Sequence, residues 1–357
     1  MKRINIALLS SFLFLITLVS CTKNNSVPYT QDGNWVTRAY FGGANRSESA
    51  SFTVGNFAYI SGGYDGTKRY SDLWQFDPGE NSSSTGSWKQ LANMPATNAG
   101  GGATARSSGV GFSIDSLGYV GTGYDGFNAM NDFWQYSPAS NTWTQKADFA
   151  GGARYDAVAF GIGHFGYITT GYDGLSAHND NWQYDPLTDT WTQKESMAGQ
   201  KRSQAVAFVY QDKAYVVTGV NNSQATNDLW VFDPSQAGDS WKELRQITNF
   251  NTTDTYDDLY TTIARWNAAA FVITGTTGGD KAYISTGENG SLYQFTWEYD
   301  FKTDLWKEKS LYEGAARTGA VGFTVQNRGF IGLGRSSGQA LDDLREFHPN
   351  EVSNLND

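Results

Sequence analysis

The octapeptide Tyr59-Ile-Ser-Gly-Gly-Tyr-Asp-Gly66 decides the fold, because the chain repeats it. Each copy reads as an apolar strand that runs into a glycine turn. Self-similarity at a spacing of about 50 residues is typical of propellers and other repeat architectures. The repeat therefore predicts one domain, although the length of 357 residues alone would suggest two or three. Further copies start at Tyr119, Tyr167, Tyr215 and Tyr283, with a weaker sixth copy at Phe330.

The residues around each octapeptide predict a unit of four antiparallel strands. In the first unit, residues 47–54 and 57–62 are two strands joined at Gly55-Asn56, a favoured pair for a tight hairpin turn. The third strand ends at Asp77-Pro78, because proline cannot continue a strand ladder, and Trp88 begins the fourth. Six units predict blades at about residues 46–91, 106–146, 154–194, 202–244, 265–308 and 317–349.

The sixth unit lacks a fourth strand, and the N-terminal region supplies one. The segment Asn34-Trp-Val-Thr-Arg38 matches fourth strands such as Asn141-Thr-Trp-Thr-Gln-Lys146. Pairing this closing strand, residues 34–38, with the C-terminal blade removes the exposed sheet edges. We therefore expect a single propeller domain over residues 34–349, followed by a tail of residues 350–357.

Tryptophan positions support the count of blades. Eleven of the 12 tryptophans fall in columns on the third and fourth strands, where large rings fill the space between blades. Only Trp266 lies outside these columns. We therefore interpret the eleven as core residues and not as a surface for stacking sugars.

The units resemble kelch repeats through the strand-ending glycine, the following Tyr-Asp-Gly and the spaced aromatic residues. The family's glycine doublet is intact only at Gly62-Gly63, and elsewhere its first position is threonine or leucine. The resemblance implies an all-β, six-bladed kelch-type β-propeller, closed by the N-terminal strand in the C-terminal blade. In some kelch propellers, arginines and tyrosines at matching places bind an acidic partner.

The N-terminus resembles a bacterial lipoprotein signal. Basic Lys2 and Arg3 precede a mostly apolar stretch, and Leu18-Val-Ser-Cys21 is similar to a lipobox. The resemblance, to Bacteroidota-like kelch lipoproteins, implies a signal peptide of residues 1–20, a lipidated Cys21 and a flexible tether over 21–33. It places the protein in the bacterial cell envelope at the outer membrane, facing either the periplasm or the surface. An ordinary signal peptide with a chance cysteine is the alternative.

Composition excludes several classes of function. Acidic side chains outnumber basic ones by 36 to 26, which argues against nucleic acid and against membrane contact other than through the lipid. Cys21 is the only cysteine, so a disulfide within the chain and a thiolate metal cluster are excluded. The 3 histidines are dispersed. We predict no cofactor, no metal and no catalytic residue.

Strand counting places one constellation of side chains at a single end of the propeller, called here the top face. Six arginines precede the first strands, and the Tyr-Asp-Gly turns lie at the same end. Guanidinium groups suit carboxylates, sulfates and phosphates. Aspartates in each unit could instead neutralise the arginines, which is the structural alternative. The predicted ligand-binding residues are Arg46, Arg106, Arg154, Arg202, Arg265, Arg317, Tyr64, Tyr124, Tyr172, Ser107, Tyr155 and Trp266.

These features favour a non-catalytic propeller that binds a protein or a carbohydrate, with an acidic ligand among the candidates. The three Tyr-Asp-Gly turns point to the top of blades 1 to 3, and the long loop 248–263 reads as a solvated insertion. Galactose oxidase is kelch-like but needs a crosslinked cysteine, so that activity is excluded. The alternative is a sugar-active enzyme of the sialic acid epimerase (mutarotase) type, with Glu48 and Glu288 as the nearest acid/base candidates.

Overall fold

Six four-stranded antiparallel sheets surround one axis in the computed structural model, which describes residues 31–236, 238–249 and 253–357. The first strand of each sheet contacts the first strands of its two neighbours, so these strands lie nearest the axis. No helix is present within the described residues, and therefore none that is long and apolar enough to cross a membrane. The predicted all-β, six-bladed propeller is confirmed.

Each of the first three blades is built from consecutive strands. Blade 1 contains Ala50–Val54, Phe57–Ser61, Leu73–Asp77 and Ser87–Gln90. Blade 2 contains Val110–Ile114, Leu117–Gly121, Phe133–Ser137 and Thr142–Lys146. Blade 3 contains Val158–Ile162, Phe165–Thr169, Asn181–Asp185 and Thr190–Lys194.

Blades 4 and 5 follow the same order, and blade 6 takes one strand from the N-terminal region. Blade 4 contains Val206–Tyr210, Lys213–Val217, Leu229–Phe232 and Trp241–Glu243. Blade 5 contains Ala269–Thr276, Gly279–Ser285, Thr296–Asp300 and Leu305–Lys309. Blade 6 contains Val321–Val325, Arg328–Gly332, Leu344–Val352 and Asp32–Thr37. Two short ribbons pair Val220–Asn221 with Gln224–Ala225 and Arg335–Ser336 with Gln339–Ala340.

The closing strand is longer than the sequence predicts. It starts at Asp32, because the ladder continues past a bulge at Gly33, where φ is +119°. Its partner strand extends to Val352, beyond the predicted start of the tail at residue 350. The predicted signal peptide, Cys21 and most of the tether lie outside the described residues.

A ring of hydrogen bonds closes the propeller around its axis at the top face. The second residue after each of the six arginines has a left-handed backbone, with φ between 51° and 63°. Each of these residues donates its N–H to the carbonyl of its counterpart in the preceding blade, at 2.8 to 3.2 Å, and the last bond returns to the first. We call these residues the axial ring. Its members are Glu48, Ser108, Asp156, Gln204, Asn267 and Gly319.

The hydrophobic core lies between neighbouring blades. Aromatic and aliphatic side chains of facing sheets form the buried clusters, as the tryptophan columns predict. Close to the axis the sheets approach so tightly that only small residues fit. A Cβ at Gly111 of blade 2 would lie 2.6 Å from the carbonyl oxygen of Ser51 in blade 1. The blades are thus held rigidly, and their top loops sit on a fixed frame.

Candidate functional site

The six predicted arginines lie inside the blades and are not exposed on the top face. Each is at most 2% exposed. Five of them form ion pairs of 2.5 to 2.7 Å with the aspartate that precedes the third strand of the same blade. The structural alternative is the observed one for these five arginines, because each guanidinium already pairs with a carboxylate of its own blade. The five aspartates are Asp72, Asp132, Asp180, Asp228 and Asp343.

Each arginine also holds the turn that ends the second strand. The guanidinium of Arg106, for example, donates to the carbonyl oxygen of Thr122 at 2.9 Å. Thr122 has a left-handed backbone with φ of 53°, which is costly for a β-branched residue. Threonine occupies the same place in four blades, where the kelch family has the first glycine of its doublet. The arginine therefore helps to stabilise a turn that the sequence makes without glycine.

Arg265 in blade 5 is the exception, since no aspartate faces it within the described residues. Phe295 occupies the place before the third strand, and its carbonyl oxygen accepts from the guanidinium at 2.8 Å. Thr262, Ile263 and Thr286 supply further carbonyl oxygens. Burial without a carboxylate lowers the pKa of Arg265 to about 9, because desolvation disfavours the charged form.

The long loop before blade 5 accounts for this difference. Thr262 accepts the indole N–H of Trp297 at 3.0 Å, a bond that the aspartate provides in blades 1 to 4. Tyr260 and Ile263 are buried in the core, at 2% and 0% exposure. The expectation of a solvated insertion is therefore wrong for the end of the loop. Thr262 accepts the indole bond that the aspartate accepts in other blades, and Tyr260 and Ile263 pack in the core.

The predicted tyrosines form a ladder of rings on the top face. Tyr124 lies 5.2 Å from Tyr155, which lies 5.6 Å from Tyr172, centroid to centroid. Tyr64 joins the ladder through the guanidinium of Arg69, which packs between Tyr64 and Tyr124. The structure thus brings together four of the predicted residues across blades 1 to 3, and all four are partly exposed.

The ladder ends in a cavity of about 830 Å³ over blades 3 to 5. Tyr155 and Tyr172 form one wall, and Trp266 lines the cavity from blade 5. Exposed Leu175 lies at the rim, with 91% of its surface accessible. The cavity extends the candidate site beyond blades 1 to 3, because it takes its far side from the short ribbon Val220–Asn221 of blade 4.

The polar lining of the cavity is rich in groups that have no protein partner. In the described part of the chain, the side-chain amides of Gln200, Asn221 and Asn222 make no hydrogen bond. Lys201 forms no ion pair there either. Side chains that point to solvent with unused donors and acceptors can bind a polar ligand without breaking existing bonds.

Asp156 connects the cavity with the axial ring and was missed in the sequence. It lines both the large cavity and a smaller one of about 100 Å³ inside the ring. Asp156 has its pKa raised to about 7, first by burial and then by the nearby carboxylate of Glu48, whereas the hydrogen bond that the Gln204 amide donates to it acts in the opposite direction. The six units have six different residue types at this place, so the sequence marks Asp156 only by its position two residues after Arg154.

The other predicted residues lie at the edges of the site. Ser107 is buried, and its hydroxyl accepts from Arg69 Nε at 3.1 Å. Glu48 belongs to the axial ring and accepts from the Ser108 hydroxyl at 3.2 Å. Glu288 accepts from Thr318 at 2.8 Å and pairs through its backbone with Trp266. Neither glutamate lines the large cavity.

We expect the Asp156→Asn variant to gain stability over the wild type as pH rises. The folded chain keeps a proton on Asp156 up to about pH 7, whereas the unfolded chain releases it near its ordinary pKa of 3.8. Unfolding between these values releases a proton, so rising pH favours unfolding of the wild type only. The free energy of unfolding of Asp156→Asn relative to the wild type is expected to rise by about 2 kcal/mol between pH 4 and pH 8. Asp156 is partly exposed, so solvent screens part of its charge and reduces the effect.

Urea unfolding of both chains at several pH values measures this difference. Glu48 and Arg335 carry the charges that face Asp156, so ionic strength is held constant. Asp148→Asn, a change at an exposed aspartate, is the control. A gap between Asp156→Asn and wild type that does not change with pH would contradict the raised pKa.

Comparisons with known proteins agree with this architecture. Residues 45–95, 167–198 and 201–246 match the Kelch motif. A solved structure described as "Structure of YjhT" has a TM-score of 0.67 at 15% sequence identity, over 86% of this chain and 95% of that chain. The comparison with curated proteins gave no match. The structural likeness at this identity shows the fold alone. The chain is therefore a six-bladed β-propeller that carries kelch motifs in the matched residues.

Proposed function

We propose that this propeller binds a carbohydrate in the top-face cavity without transforming it. The observation that carries the proposal is the combination of three partly exposed aromatic rings with unpaired amides around one concavity. Sugars present apolar C–H faces and many hydroxyl groups. Aromatic rings pack against such faces, and amides bind hydroxyls as donor and acceptor at once.

The shape of the cavity favours a sugar over a folded protein partner. Its volume of about 830 Å³ lies in the range of sites that enclose small ligands. Protein interfaces are instead broad patches of about 800 Å² on each partner. A protein ligand remains an outcome of the test below.

We further propose that lipid on Cys21 anchors the protein to the outer membrane of a bacterial cell. The closing strand begins with Asp32 at the end of its sheet opposite the top face, since Asp32 pairs with Val352. A tether joined at that end would leave the cavity open to solvent. Palmitate labelling of the wild type in cells, but not of a Cys21→Ser chain, is the supporting result. Equal labelling of both chains would overturn the anchor.

We expect Trp266→Ala to weaken glycan binding at least tenfold, which corresponds to about 1.4 kcal/mol. Its ring lines the cavity and is partly exposed, so its loss removes contact area without opening the core. A glycan array identifies the ligand, and isothermal titration calorimetry compares the variants.

Phe127→Ala is the matched control for this change. Phe127 is 89% exposed and lies outside the cavity, on a top loop of blade 2. The proposal fails if Trp266→Ala binds the glycan as tightly as Phe127→Ala. It also fails if the wild type binds no glycan while a pull-down from envelope extract recovers a protein that competes for the same face.

Asp156 favours a second candidate, a sugar-active enzyme of the mutarotase type. A carboxyl with a pKa near 7 can both give and take a proton at neutral pH, which is what acid/base catalysis requires. It borders the same cavity as the aromatic rings. Anomer exchange of N-acetylneuraminate, followed by NMR, distinguishes the candidates. Acceleration by the wild type that is lost in Asp156→Asn supports the enzyme, and equal rates with and without protein support the binder.

A further inference from the structure

We propose that the carbohydrate is anionic and that Arg69 binds its carboxylate or sulfate group. This inference rests on the proposed function and adds the chemical class of the ligand. Arg69 lies in the top loop between the second and third strands of blade 1, and it was not among the residues predicted from the sequence.

Arg69 is held in one orientation by three contacts. Its guanidinium carbon lies 4.6 Å from the ring centre of Tyr64 and 4.9 Å from that of Tyr124. Its Nε donates to the hydroxyl of Ser107 at 3.1 Å. These contacts use the guanidinium carbon and Nε, and the two terminal nitrogens make no hydrogen bond to a described residue. An arginine that is already ordered loses little side-chain entropy when it binds.

The charge of Arg69 has no counterion in the described part of the chain. The buried arginines have carboxylate or carbonyl partners, and exposed Arg335 lies 3.8 Å from Glu48. The terminal nitrogens of Arg69 make no hydrogen bond to a described residue, and the side chain is partly exposed. Two parallel N–H donors at an open edge match the geometry of a carboxylate or sulfate.

Gly126 is the residue of blade 2 that lies beside the guanidinium of Arg69. Gly126, in the neighbouring turn of blade 2, has φ of +109°. A Cβ at that glycine would lie 2.8 Å from a terminal nitrogen of Arg69. Any side chain at this position would crowd that nitrogen, so glycine leaves it without a side-chain contact from blade 2.

The tyrosine ladder connects Arg69 to the carbohydrate cavity. The guanidinium carbon of Arg69 lies 4.9 Å from the ring centre of Tyr124, and that ring centre lies 5.2 Å from the ring centre of Tyr155 in the cavity wall. An oligosaccharide lying along these rings would have its acidic group at Arg69 and another residue in the cavity. Lys201 places a second cation at the cavity itself. Because the protein as a whole carries a net charge of −10, attraction of an anion must come from such local cations.

Binding of matched acidic and neutral oligosaccharides tests the proposal by calorimetry. The carboxylate probe is trigalacturonate, and its methyl ester has the same skeleton without the charge. The sulfate probe is a κ-carrageenan tetrasaccharide, with its desulfated form as the neutral partner. We expect one acidic probe to bind at least tenfold more tightly than its neutral form, and the preferred probe tells carboxylate from sulfate.

Variants then assign the effect to Arg69. Arg69→Gln is expected to lose the preference for the acidic probe and to keep binding of the neutral one, whereas Lys68→Gln removes a neighbouring charge and should keep the preference. Thermal unfolding of both variants should match the wild type. Equal binding of acidic and neutral probes, or an unchanged preference in Arg69→Gln, overturns the inference while glycan binding stands. Failure of every oligosaccharide, including those of the array, overturns the proposed function itself.

Discussion

Replacement of Asp228 by asparagine is expected to lower the free energy of unfolding by about 3–5 kcal/mol. The carboxylate accepts two bonds of 2.6 Å from Arg202 and one of 2.7 Å from the indole N–H of Trp230. Arg202 is fully buried, and desolvation already lowers its pKa. Asparagine has nearly the same shape, but it leaves the buried guanidinium without its carboxylate, and its amide donor would face the donors of Arg202 and Trp230.

The same substitution at Asp233 is the matched control in the same blade. Asp233 pairs with Lys213, whose side chain is 45% exposed, so this ion pair should contribute less than about 1 kcal/mol. Urea unfolding monitored by tryptophan fluorescence measures both variants. A similar decrease in the free energy of unfolding of both variants would contradict the prediction. It would mean that the buried ion pair stabilises the fold no more than the exposed one, and that carbonyl oxygens suffice for the guanidinium, as they do around Arg265.

Trp35→Ala is expected to have the second large effect and to lower the free energy of unfolding by about 3–5 kcal/mol. Trp35 belongs to the closing strand and is completely buried. Its ring lies 4.9 Å from that of Tyr312 and 4.6 Å from that of Phe347, and it meets Phe271 of blade 5 edge-on. Removing the ring leaves a void between blades 5 and 6 at the place where the propeller closes.

Trp88→Ala tests whether this cost belongs to the closure. Trp88 occupies the same fourth-strand position in blade 1, where it is only partly buried. Hydrogen exchange should show that the amides of Asp32–Thr37 lose protection in Trp35→Ala and keep it in Trp88→Ala. Equal losses of stability, with the closing strand still protected in Trp35→Ala, would contradict the prediction.

The fold was predictable because its signals are local and repeated. The strand-ending glycine turn recurs in all six units, the third-strand tryptophan in five and the Asp-Pro strand end in three, so a weak signal in one unit is supported by the others. The closing strand followed from a missing strand at one end and a surplus strand at the other. The extension to Asp32 was not visible, because a bulge at Gly33 interrupts the alternation of the strand.

The site was less predictable, because side-chain direction depends on distant partners. Strand counting correctly places the backbone of Arg46 at the top end of blade 1. It does not show that the side chain is buried in an ion pair with Asp72. In five units the aspartate follows the arginine by 26 residues, and this constant spacing was a signal of the pair in the sequence. Arg69 differs because its partners are rings from two blades, and no spacing within one unit predicts such a contact.

The closing strand also sets the order in which this molecule can assemble. Asp32–Thr37 pairs with Leu344–Val352, so two segments separated by most of the chain meet in one sheet. Contacts over such sequence distances form slowly, because a long loop must close first. While residues near 350 are still being synthesised, a nascent chain holds five complete sheets at most. We therefore expect newly made chains to pass through an open arc whose first and last blades expose apolar edges, so that chaperone binding before ring closure should be strongest at those two blades.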